Sequence, residues 1–83
     1  MGGYKVKHMK TKQAEPVVTD YNPEVLIAYR MAAGLTQLGL AQAIGAKVND
    51  VIRWETGSRG IPRRMILPLI RMLHCTETDL MSR

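Results

Sequence analysis

The sequence holds one cysteine, Cys75, and two histidines, His8 and His74. A lone thiol excludes an internal disulfide, and so few soft ligands make no plausible metal cluster, so a reducing cytoplasm is the expected compartment. His74 and Cys75 are sequence neighbours, and adjacent side chains on a helix or extended segment diverge. They therefore do not make a nucleophile with its base, and Cys75 reads as a small core thiol beside an exposed ring. No apolar run approaches the ~20 residues of a membrane helix, and the N-terminus lacks the unbroken apolar stretch of a signal peptide. A soluble, unexported, membrane-free protein is expected. With no carboxylate pair, activated nucleophile or metal set visible, the expectation is also that it is not an enzyme and needs no cofactor. There is no internal repeat and no strand pattern of useful length.

What the sequence does have is positive charge. Lys and Arg outnumber Asp and Glu by twelve to seven over 83 residues, a formal charge of +5. Excess positive charge draws polyanions, so nucleic acid or an acidic membrane surface is a candidate partner, against a merely soluble basic protein. A chain this short supports one domain with a modest core, hiding ~60–65% of its unfolded surface.

Residues 1–21 are rich in charge and poor in apolar periodicity, with Lys5, Lys7, Lys10 and Lys12 crowded before Ala14, Glu15 and Pro16. They read as a flexible basic arm, suited either to wrapping a duplex or to staying solvated. Met9, with Gly2-Gly3 before it, is a candidate native start. Residues 22–83 form the expected domain. Asn22 can cap a first helix, Pro23 suits its first turn and Glu24 faces the positive end of its dipole. Val25, Leu26, Ala28, Tyr29, Ala32 and Ala33 recur at helical spacing, and Gly34 is placed to close the helix in a left-handed cap.

Thr36 caps a second helix with Leu40, Ala41 and Ile44 on one face and Gly45 as its stop. Gly39 costs about 1 kcal/mol there relative to Ala, and stands where a Glu would close a capping box. A third helix starts at Lys47 or Val48 and reaches about Glu55, before Gly57. At about 100° per residue, Val51, Trp54 and Glu55 share one side and Asn49 and Arg53 the other, with Ile52 and Thr56 flanking. Ser58, Arg59 and Gly60 then make a basic loop. Pro62 opens a helix bearing Met65, Ile66, Leu69, Ile70, Met72 and Leu73, which Pro68 either kinks or replaces with a new start. Thr76 and Asp79 make a capping pair for a last helix with Leu80 and Met81. The expected class is all-α, a compact bundle of about five short helices containing a helix-turn-helix.

From Tyr29 to Gly57 the chain reads YRMAAGLTQLGLAQAIGAKVNDVIRWETG. This segment resembles the helix-turn-helix core of the Cro and lambdoid-repressor (XRE) family, through Arg30, Gly34-Leu35-Thr36-Gln37, Leu40-Ala41, Ile44-Gly45, Val51, Glu55 and Gly57. The end from Leu73 to Leu80 is similar to the family's last helix, so the resemblance covers roughly residues 22–81. It implies that helix 2 crosses the DNA backbone and that helix 3 enters the major groove. On that likeness Gln37 meets a phosphate at the start of helix 2, and Lys47, Val48, Asn49 and Arg53 lie at base-reading or groove-lining positions. Arg59, Arg63 and Arg64 resemble the basic turn that grips the sugar-phosphate strand. Arg30 and Glu55 match a shielded structural ion pair, which suits a carboxylate on the apolar face of helix 3. The sequence departs from the pattern at Lys47, where a Ser or Thr cap is usual. It departs again at Gly39 and at Asp50, whose charge serves the helix dipole or repels some DNA sequences.

The function so implied is a sequence-specific transcription regulator, a repressor, binding double-stranded DNA as a homodimer on a two-half-site operator and nucleoid-associated when bound. Leu69, Met72, Leu80 and Met81 are the expected dimer surface. The competing classes are an antitoxin that neutralises a toxin partner, using the polar N-terminal segment, and a basic protein with little sequence preference.

Overall fold

The structure, a computed structural model, describes residues 16–81; the arm lysines and Met9 lie outside the described residues. Five helices follow a two-residue strand: β1 (Val17–Val18), α1 (Pro23–Ala32), α2 (Gln37–Ile44), α3 (Val48–Thr56), β2 (Ile61–Pro62), α4 (Arg63–Leu73) and α5 (Glu77–Met81). Each helix is too short to persist alone, so its stability comes from the shared core. Leu26, Leu40, Val51, Trp54, Ile61, Leu69 and Leu80 are fully buried at its centre.

Local signals set the boundaries. The Asn22 side chain accepts the Glu24 N–H at 3.0 Å, and Thr36 Oγ1 accepts that of Gly39 at 2.9 Å. α1 closes with paired bonds, Leu35 N to the Arg30 carbonyl and Gly34 N to the Met31 carbonyl, which together satisfy two open carbonyls of the last turn. Thr76 and Asp79 cap each other reciprocally at 3.0 and 3.1 Å. Pro68 does not start a new helix: α4 runs unbroken across it. Its missing N–H removes one bond of the ladder, and burial of Ile66, Leu69 and Leu73 on the inner face holds the helix together.

Three expectations are corrected. Order begins before Asn22, because β1 pairs antiparallel with β2, Val17 opposite Pro62 and Val18 opposite Ile61, and Val18 and Tyr21 join the core. The two strands are shorter than any periodicity can signal, and Val18 and Ile61, opposite each other in the pair, are both buried. In α1 Leu26 is buried, whereas Ala28, Ala32 and Ala33 are exposed; small side chains gave that helix an apolar stripe wider than the face it packs. Leu69 and Leu80 are core residues, so they cannot form the dimer surface expected of them. The exposed apolar side chain of α4 is Leu67, 51% accessible, beside half-buried Ile70.

Candidate nucleic-acid interface

α2 and α3 pack against each other through a turn at residues 45–47. Gly45 makes that turn at φ +77°, a left-handed conformation that an L side chain rarely adopts, and so brings the two short helices together at a corner. Val51, Trp54 and Glu55 then point into the protein, and Asn49, Ile52, Arg53 and Thr56 point out. Lys47 is exposed at the N-cap, and its ammonium, a donor with no lone pair to accept a helix N–H, makes no side-chain cap bond. Val48 is half-buried and packs on the core.

The other end of α3 is fixed by a buried polar network. Arg30 Nε donates to Glu55 Oε2 at 2.6 Å and Arg30 Nη2 to Glu55 Oε1 at 3.2 Å, while Arg30 Nη1 caps the Leu35 carbonyl at 2.9 Å. The Glu55 side chain is 3% exposed and that of Arg30 13%. Burying a carboxylate this far from water is expensive without such a partner. Gln37 Nε2 adds a third bond, to Glu55 Oε1 at 2.9 Å. The family resemblance gives Gln37 to a phosphate; in the structure one of its two amide hydrogens goes to Glu55, and no acceptor among the described residues takes the second.

The basic residues after α3 divide. Arg59 lies in the exposed loop at residues 57–60. Arg63 pairs with Glu77 of α5 at 3.6 Å, both well exposed, which places it on the α4–α5 flank rather than beside α3. Arg64 lines a cleft with Lys47, Asp50 and Trp54 at the N-terminal end of α3. Adjacent residues on a helix diverge by about 100°, which sends these two arginines to different faces.

In fold the chain is similar to the clp gene regulator ClgR from C. glutamicum. The TM-score with that crystal structure is 0.68 at 19% identity, over 81% of this chain and 86% of that one. No family model matches the sequence, and no curated protein matches it. The likeness carries the fold: among the described residues, a mostly helical bundle of five helices with a helix-turn-helix and a small two-stranded sheet.

Tyr21 went unnoticed in the sequence. Its hydroxyl donates to the Trp54 carbonyl at 2.5 Å and to the Arg59 carbonyl at 3.1 Å, and burial pushes its phenol pKa up, so it stays a donor. The β-branched pair Val17-Val18 ahead of it was the available signal, hidden by the charge of residues before it. Burial and then the Asp79 carboxylate push the Cys75 thiol up, the reverse of what an activated nucleophile requires. Among the described residues no group of three His, Cys, Asp or Glu side chains could hold a metal ion, and no helix is long and apolar enough to cross a membrane.

Proposed function

We propose that this protein is a cytoplasmic, sequence-specific DNA-binding transcription regulator, a repressor of the Cro and lambdoid-repressor type, acting as a homodimer. The observation that carries this reading is the two-sided character of α3: Val51, Trp54 and Glu55 are buried while Lys47, Asn49 and Arg53 are exposed along its outer side. Docked N-terminal end first in the major groove, that side offers Asn49 for a bidentate pair with adenine, Arg53 for guanine and Lys47 for guanine or phosphate. Val48 supplies apolar contact to a thymine methyl at the groove wall.

Phosphates flank the groove. The second amide hydrogen of Gln37 and the open N–H groups at the start of α2 meet one strand, and Arg59 meets another stretch of backbone. Arg63 and Arg64 add positive charge at the sides, and Arg63 can leave Glu77 at little cost because exposed ion pairs are weak. Arg30 and Glu55 take no part in contact; they fix the angle between helices.

Selection of bound duplexes from a random pool, followed by footprinting, tests this reading. Enrichment of one motif in two halves about 34 Å apart, or a multiple of that, is the expected result. Retention of all duplexes alike would replace it with a non-specific basic protein. Co-purification of a toxin with no enriched motif would replace it with an antitoxin.

A further inference from the structure

Residues 17–21 lie along the loop that follows α3. β1 pairs with β2, and the Arg63 N–H donates to the Pro16 carbonyl at 3.0 Å, so the segment is pinned to the chain just where it leaves the loop. The approach is close: a Cβ on Gly60 would lie 2.9 Å from Thr19 Cγ2 and 3.0 Å from the Val18 carbonyl oxygen, so a larger residue there makes its neighbours shift. From this segment the buried Tyr21 reaches under the loop. Its one hydroxyl hydrogen is shared between the carbonyl of Trp54, in the last turns of α3, and that of Arg59. The ring itself fills core volume, and a phenylalanine ring would fill the same space. The oxygen does something a core residue need not do: it ties the backbone of the basic loop to the helix end.

Arg59 depends on that tie. Its side chain is exposed and makes no ion pair among the described residues, so no partner fixes its guanidinium and its backbone sets the region it can reach. A phosphate contact from an arginine on an untethered loop must order the loop on binding, which lowers affinity. We propose that Tyr21 is a positioning residue for DNA binding, its hydroxyl holding the Arg59 loop at a fixed height against the end of α3 so that Arg59 meets the backbone without reordering. This inference rests on the DNA-binding reading above and adds to it a residue outside the helix-turn-helix.

The test is a double-mutant cycle with the full chain and a duplex from the selection, using Tyr21→Phe, Arg59→Ala and the two combined. Binding is measured across a salt series, well below the unfolding midpoint of each variant. Tyr21→Phe is expected to weaken all duplexes by roughly threefold to tenfold, the worth of one hydrogen bond, and to flatten the salt dependence. In the Arg59→Ala background the same change should have no further effect. Gly60→Ala, which pushes β1 off the loop and keeps the hydroxyl, is the second arm and should show the same dependence on Arg59. Equal losses from Tyr21→Phe with and without Arg59, or no loss at all, would overturn the inference while leaving DNA binding intact. A merely destabilised fold would give such independent losses and an unchanged salt slope. Failure of the parent to bind any duplex would instead overturn the DNA-binding reading, and this inference with it.

Discussion

The two ends of α3 are built differently. At its C-terminal end Glu55 takes bonds from Arg30 and Gln37, Gly57 closes the helix in a left-handed cap, and the Trp54 carbonyl accepts from Tyr21. At its N-terminal end Lys47 offers no cap bond, and Asn49 stands in solvent. One end is anchored to α1, α2 and the segment between β1 and α1 by groups that see little water, and the other presents polar side chains with few bonds to break. A helix held in this way can be aimed by its buried end and can exchange water for a ligand at its open end.

Removing the anchor should have the largest effect. Glu55→Ala strands Arg30 near the core and is expected to cost about 3–5 kcal/mol in urea unfolding, the usual loss when one member of a buried pair is deleted. An unchanged midpoint would mean that the two ends do not differ in the way described. Lys47→Ser works at the other end and in the opposite direction. A serine can accept the N–H that Lys47 leaves uncapped, so the variant should gain about 0.5–1 kcal/mol of stability while binding DNA more weakly.

How far these features were legible in the sequence differs between the same two ends. Thr36, Gly45, Val51, Trp54 and Gly57 signal the helix-turn-helix through capping and spacing, which are local, and the boundaries of α2 and α3 follow from them. The exposed set at Asn49 and Arg53 follows from helical geometry alone. Contacts between distant segments were not legible: Tyr21 reaches Arg59 across 38 residues, and no local pattern encodes that bond. For the same reason Leu80 and Leu69 looked surplus to a small core, since nothing in their own helices reveals that α4 and α5 close it. Gly39, unexplained by propensity, sits where a Cβ would lie 3.1 Å from the capping oxygen of Thr36.

Two smaller effects sharpen the contrast. Arg59→Ala should weaken binding to all duplexes alike and reduce the slope of affinity against salt by about one phosphate contact, read from a titration in sodium chloride. A change in the preferred sequence would instead make Arg59 a base reader. The smallest effect near neutrality concerns protons. Tyr21 and Cys75 both hold their protons more tightly in the folded protein than in the unfolded chain, because burial disfavours their anions. Their contribution to stability is therefore complete below the ordinary thiol and phenol range and falls as pH rises through it. Urea midpoints should be flat to about pH 8 and decline above about pH 9–10, with a shallower decline in Tyr21→Phe. A midpoint that rises with alkaline pH would contradict the burial of these groups.

The central claim is that the open side of α3 reads bases. Its most direct test is the affinity of the parent and of Arg53→Ala for the selected duplex and for every single-base change within it, at one fixed salt concentration. The account predicts that the parent discriminates by about 1–3 kcal/mol at a base pair that Arg53→Ala no longer distinguishes, with discrimination elsewhere retained. A uniform loss across all duplexes, with the pattern of preferred bases unchanged, would place Arg53 on the phosphate backbone and contradict it.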